Sequence, residues 1–320
     1  MLTRRHLLAG AGATLAGPHL LAQPRFPSAP ITLYCPWPAG GGADAQLRGL
    51  ARIAGGLLGQ PVLVENRPGA AGSFGAAALM KVRADGYTLS QSHNAVLRQP
   101  FIAPTPYDPV KDFTYLLGVS DNPFGIVVRA DAPWRTVEDF IEHARRQPNT
   151  VSLAVPGKAS PGHLVGDQIA AQRKIDWTVV PFKGTAESMQ QLLGGHVTAA
   201  IESTGWVPHV DAGRLRLLAV VGRRRLRKYP QVPTLIESGI DASDHSPWGI
   251  VGPAGMEPTV VRTLHDAFKA SMESPDFVQL LASLAQEPLY MSGEEYRRYV
   301  VEVLPQLKAI VDRYNLKATA

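Results

Sequence analysis

The stretch from Ile31 to Asp44, ITLYCPWPAGGGAD, constrains the fold most, because it changes backbone character repeatedly within a short span. An apolar run of strand character meets a Pro-stiffened turn, then three consecutive glycines, then an acidic residue that opens a helical pattern. A strand that passes through glycine into a helix leaves bare main-chain N–H groups at the helix N-terminus. Such a spot suits a small anion without a cationic side chain. The same order returns in AVPGKASPGHLVGDQI (154–169). Either glycine turn, taken alone, reads equally well as a tight strand-to-helix connection.

Alternation of strand and helix patterns continues from Ile31 to about Gly222, the signature of α/β layers. Strand Ile31–Cys35 leads to a helix expected over Asp44–Leu58, with Leu47, Leu50, Ala54, Leu57 and Leu58 at helical spacing and Asp44 placed as its N-cap. Asn66 to Gly72 reads as a loop feeding a small-residue helix to about Arg83. A Pro-rich connection (Pro100, Pro104, Pro106, Pro109) then runs to Phe113, and a tail dominated by helices follows Gly252. No long Gly/Ser linker is present, so two lobes joined by crossing strands near Asn122 and Ser243 fit best. The expected division is 1–22 as an export signal, 23–122 plus 244–320 as one lobe, and 123–243 as the other.

Length supports two cores: 320 residues with 45% hydrophobic and 18% charged side chains are ordinary for a globular chain. The net charge of +5 is partly one run, Arg223 to Lys228, read as a solvated loop. No helix-turn-helix or interleaved aromatics accompany it, so nucleic acid is not an expected partner. Arg4-Arg5, the apolar stretch Leu7 to Leu21 and a cleavage point after Ala22 read as an export signal, twin-arginine-like or general secretory. The mature chain is therefore expected in the periplasm. Its single cysteine, Cys35, lies in a strand pattern and reads as a buried packing residue.

Enzyme constellations are missing at the level of motif. No Gly-x-Ser-x-Gly surrounds any serine, the nine histidines form no His-x3-His pair, and there is no CxxC. Gly42 is not followed by Gly-Lys-Ser/Thr, which excludes a P-loop, and the spacing of Gly40, Gly41 and Gly42 excludes a dinucleotide fingerprint. No metal and no cofactor are expected. In the second turn Ser160 can cap or donate, and His163 sits in the first helical turn, where the helix end disfavours its charged form and a neutral hydrogen-bonding role is expected. Lys158 is the one cation in either turn; it reads as a carboxylate partner in the cleft or as a solvated rim lysine.

These segments resemble the Bug family, the periplasmic substrate-binding receptors of tripartite tricarboxylate transporters. The resemblance rests on PWPAGGGADAQLR (36–48), VENRPGAAGSFGA (64–76), ADGYTL (84–89), YDPVKDF (107–113), VPFKGTAESMQQLLGGHV (180–197), AGRLRLLAV (212–220), VPTLIESG (232–239) and WGIVGPAG (248–255), in this order and spacing. It implies a type II periplasmic-binding-protein fold: two α/β lobes joined by a two-strand hinge, with a ligand cleft between them. It also implies a monomeric, non-enzymatic receptor for a small carboxylate (organic acid, dicarboxylate or amino acid), working with membrane subunits of such a transporter. The residues expected at the ligand are Trp37, Pro38, Ala39, Gly40, Gly41, Gly42, Asp44, His93, Asn94, Gly157, Lys158, Ala159, Ser160, His163, Thr185 and Glu202. Departures from the family pattern are Trp37 in place of a commoner Phe, and Val155 to Ser160, where a serine and a glycine are replaced and Lys158 is gained. The rival readings are a secreted α/β enzyme acting on an acyl or phosphoryl substrate, and a ligand sensor feeding a signalling system.

Overall fold

Strand and helix alternate along the chain, but the strands are dealt into two separate sheets. The computed structural model describes residues 26–242, 246–314 and 316–317; the expected export signal lies outside the described residues. The first part of the chain forms β1 (Ile31–Cys35), α1 (Gly42–Leu58), β2 (Val62–Asn66), α2 (Phe74–Ala78), β3 (Thr88–His93), α3 (Asn94–Ile102) and β4 (Phe113–Asp121). The middle forms β5 (Phe124–Arg129), α4 (Val137–Arg146), β6 (Ser152–Val155), α5 (Pro161–Arg173), β7 (Thr178–Pro181) and α6 (Thr185–Leu193). It continues with β8 (Ala199–Ser203), α7 (Val207–Asp211) and β9 (Leu215–Val221). The remainder is β10 (Pro247–Pro253), α8 (Pro258–Glu273), α9 (Pro275–Ser283), β11 (Pro288–Ser292) and α10 (Gly293–Arg313).

One lobe is built on a sheet of order β11-β4-β10-β3-β1-β2, the other on a sheet of order β7-β6-β8-β5-β9. In the first, β1 runs parallel to β2 and β3, while β10 is antiparallel to β3 and β4. In the second, β6 is parallel to β7 and β8, and β5 is antiparallel to β8 and β9. Helices cover both faces of each sheet, so central strands such as β5 are buried along nearly their whole length. The chain passes from β4 to β5 at residues 121–124 and returns through Ser246. These passages are tied side by side, Asn122 N donating to Ser246 O (3.2 Å) and Ser246 N to Asp121 Oδ1 (3.0 Å).

Several elements differ from the sequence expectation. Helix α1 starts at Gly42, with Gly41 as an N-cap that offers no side chain, so Asp44 is inside the first turn and is not the cap. The Pro-rich connection is in part helical, because α3 runs through Pro100. Pro100 has no N–H to offer the Val96 carbonyl; the Tyr107 hydroxyl donates to it instead, at 2.9 Å. The small-residue helix is broken into single turns (Ala70–Gly72 and Leu79–Lys81) flanking α2. Strand β4 follows that connection, and β11 interrupts the helical tail to pair with β4. Cys35 is buried as expected, and burial pushes its thiol up to about 12.

Candidate functional site

The ends of β1, β3, β6 and β7 carry the connections that face the other lobe, as expected for parallel strands. At the end of β1, Gly40 is in the left-handed region (φ +85°) and a Cβ there would meet nothing within 4 Å. A Cβ on Gly41 would touch only the Pro38 carbonyl, at 3.8 Å. The first N–H groups of α1 are thus left without a side-chain cap beside open space. Asp44 shapes this loop from behind. Its carboxylate accepts from Gly40 N (3.1 Å), Arg48 Nε (3.0 Å) and Asn66 Nδ2 (2.8 Å). Burial pushes that carboxyl up, but hydrogen bonds from Arg48, Asn66 and Gly40 together hold it below the usual carboxylate range. Asn66 also donates to the Trp37 carbonyl at 2.9 Å, which fixes the turn.

Trp37 stacks on His93 (ring centroids 5.3 Å apart), and Gly72 packs against both. A Cβ on Gly72 would lie 2.7 Å from Trp37 Cζ2 and 2.8 Å from His93 Nε2, and its φ of +92° also favours glycine. His93 caps α3 through Nδ1, which accepts from Ala95 N at 3.3 Å. Burial, with the Arg98 charge nearby, pushes its imidazole down to about 3. The ring is therefore neutral, with its hydrogen on Nε2. Asn94 is buried, and its side-chain carbonyl accepts from Tyr299 of α10 at 2.8 Å.

In the other lobe, the turn from β6 to α5 places Gly157 (φ +111°) and Ala159 (φ +58°) in the left-handed region. Ser160 is the N-cap of α5, its Oγ accepting from His163 N at 3.3 Å. His163 Nδ1 accepts from Ala159 N at 2.9 Å, so this side chain supports the turn. Lys158 is exposed. At the head of α6, Gly184 is an N-cap without a side chain, and Thr185 Oγ1 donates to Glu202 Oε2 at 2.7 Å. Glu202 is fully buried and its Oε1 has no hydrogen-bond partner. Burial pushes its carboxyl up to about 8, against weaker lowering by the nearby polar groups of Ser188, Thr185 and Ser203.

The lobes meet along these turns. A Cβ on Gly184 would be 3.0 Å from Pro38 Cδ, one on Gly42 would be 3.3 Å from Thr204 Oγ1, and one on Gly157 would be 3.6 Å from Ala71 Cα. Trp37, Pro38, Gly42, Gly157 and Thr185 of the expected set thus lie on the seam, while Asp44, Asn94, His163 and Glu202 stand behind it. A cavity of about 230 Å³ opens between Gly40, Gly41, Thr185, Ala186, Gly205 and His209. A larger depression of about 410 Å³, beside Arg52, Gly55 and Pro61, lies toward the far end of α1 and away from the seam. Sequence reasoning missed Ala71, Gly72, Gly184, Thr204 and Arg98, the last because it lies on a helix the prolines concealed. Among the described residues no cluster of three or more His, Cys, Asp or Glu could hold a metal ion.

Residues 47–316 match the family model described as the tripartite tricarboxylate transporter family receptor. A UPF0065 protein of Cupriavidus necator is 39% identical, the alignment covering 98% of this chain and 99% of that protein. Among solved structures, the periplasmic binding protein BugD is similar with a TM-score of 0.87 and 27% identity, over 92% of this chain and 100% of BugD. An R. palustris protein solved with adipate is similar with a TM-score of 0.86 and 26% identity, over 91% of this chain and 98% of that one.

Proposed function

Because the chain belongs to the tripartite tricarboxylate transporter receptor family, and is thereby a periplasmic solute-binding receptor, we propose that its solute is a small carboxylate held in the seam between the lobes. The observation that carries this reading is the meeting of uncapped main chain from α1 and α6 with the glycine turn of α5 along one seam. Behind the seam the one ionised carboxylate described above, Asp44, is paired with Arg48, and the other ionisable groups there suit an anion. His93 is neutral, Glu202 keeps its proton below about pH 8 and so does not repel a carboxylate, and Arg98 adds a positive field. The similar R. palustris protein solved with adipate supports an organic acid as the class.

The residues assigned to the ligand are the main chain from Trp37 to Gly42 and the turn from Gly157 to Ser160, within which the Ala159 N–H and C=O are already engaged by His163 and Arg98, with Thr185 and the wall formed by His93. The lobes are 23–122 plus 244–320 and 123–243, and the hinge is the paired passage at Asn122 and Ser246. Closure on the acid presents a distinct shape to the transporter's membrane subunits; the receptor acts as a monomer. It performs no chemistry on its ligand. Burial pushes the Cys35 thiol up to about 12, so it stays protonated near neutral pH; His93 cannot act as a base there, and Ser160 Oγ accepts from the backbone as the cap of α5.

Mass spectrometry of protein purified natively from the periplasm should release a carboxylic acid. A thermal-shift series with mono-, di- and tricarboxylates, adipate included, should give a stabilising acid, since a ligand at 100 times its Kd adds about 2.7 kcal/mol. Stabilisation by a cation or an uncharged solute, with no acid effective, would refute the carboxylate reading.

A further inference from the structure

The Ala159 main chain is held from both lobes. Its carbonyl accepts from the guanidinium of Arg98, which reaches across from α3 in the first lobe and is fully buried. Its N–H donates to His163 Nδ1 at 2.9 Å, within its own lobe. The residue itself is buried in the left-handed region, a conformation that a non-glycine residue keeps only where its surroundings hold it. Apolar contacts flank it: Ala159 and Leu164 of the second lobe cluster with Phe101 of α3 and Val311 of α10.

We infer that the Ala159 main chain is a proton-sensitive clasp between the lobes, its carbonyl gripped by Arg98 from one side and its N–H held by neutral His163 from the other. His163 is a positioning residue in this arrangement, acting on the cleft only through Ala159. An imidazole nitrogen that accepts an amide hydrogen cannot also carry a proton, and the charged ring has N–H on both nitrogens. Charging His163 sets Nδ1–H against Ala159 N–H, donor against donor, and the turn must let go.

The groups facing His163 are Asp167 on its own helix, with Oδ2 at 3.7 Å from Nε2, Lys158 in the turn, and Arg98 from α3. Burial holds the ring below its ordinary value; Lys158 and Arg98 act with burial, and Asp167 acts against it. Opening withdraws Arg98 and admits water, returning the ring toward its ordinary value near 6.5. The closed form therefore binds fewer protons at His163, and its advantage is lost as pH falls through 6.5. Asp167, held up by burial, takes its proton more readily in the closed form and limits the effect at the acid end.

The test is an interlobe distance measured by pulsed electron spin resonance, with labels on Lys81→Cys in the first lobe and Glu138→Cys in the second. Both positions are exposed, and buried Cys35 stays unlabelled. The closed-to-open ratio of the otherwise unmodified chain should fall by up to about thirty-fold between pH 7.5 and pH 5. His163→Asn, whose Oδ1 can accept from Ala159 N without titrating, should stay closed at both values. Arg98→Met should open at both. A distance indifferent to pH, a His163→Asn variant that widens as the parent does, or an Arg98→Met variant that stays closed at pH 7.5 would each overturn the clasp. Should Arg98→Met not fold, the His163→Asn comparison decides alone. No acid is added, so a failed search for a carboxylate ligand leaves this result readable on its own.

Discussion

Glu202→Gln should change how stability depends on pH, by an amount that follows from the burial of one carboxyl. Glu202 is fully enclosed under the head of α6, with one oxygen held by Thr185 and the other without a partner. Its folded value of about 8 stands above the ordinary 4.5, so the folded chain keeps a proton that the unfolded chain gives up. Stability from this group is complete below pH 4.5 and is lost as pH rises toward the folded value. Between pH 5 and pH 8 the loss amounts to roughly 3–4 kcal/mol, taken from the two values with 1.36 kcal/mol per unit. Glutamine has the shape of the protonated acid and no such dependence. Urea unfolding of both proteins at pH 5, 6, 7 and 8 gives the comparison, and other titrating groups cancel in the difference. The variant should be similar in stability to the parent at pH 5 and increasingly more stable above pH 6. A difference that stays constant across the series would show that Glu202 is not buried as an acid, and with it would fall the argument that Glu202 adds no negative charge behind the seam.

Gly41→Val should fold, since a Cβ there meets only the Pro38 carbonyl at 3.8 Å, yet abolish the thermal shift by the effective acid by filling the cradle. An unchanged shift in the folded variant would move the site elsewhere. Gly72→Ala should cost about 2–4 kcal/mol in denaturant unfolding, from a left-handed backbone and a Cβ pressed on Trp37 and His93; a loss below about 0.5 kcal/mol would contradict that packing. Lys158→Met should leave the Kd of the effective acid unchanged at moderate salt, because the side chain is exposed; calorimetric titration showing a tenfold loss would place it in the cleft. N-terminal sequencing of secreted protein should begin near Gln23, and intact Met1 in a native host would refute export.

Much of the fold was legible because its signals are local. The bounds of β1 and the end of α1 at Leu58 follow from a short apolar run and from leucines at helical spacing, which need no distant partner. The glycine turns after β1 and β6 were readable for the same reason, since left-handed geometry at Gly40 and Gly157 leaves its mark in residue type. What escaped depended on partners far along the chain. Helix α3 tolerates Pro100 because Tyr107 supplies the missing donor, and β11 is a strand because β4 stands beside it. Asp44 looks like a cap in sequence, but Arg48 and Asn66 claim its carboxylate and make it a brace for the loop. Lys158 and Arg98 carry the same charge. Only the packing of α3 and α10 against α5 decides that the first is left in water while the second is buried across the cleft on the Ala159 carbonyl. Residue type and spacing determined which segments could hold an anion; the meeting of two lobes decided which side chains stand at that seam, because burial and charge there are set by neighbours that no local pattern contains.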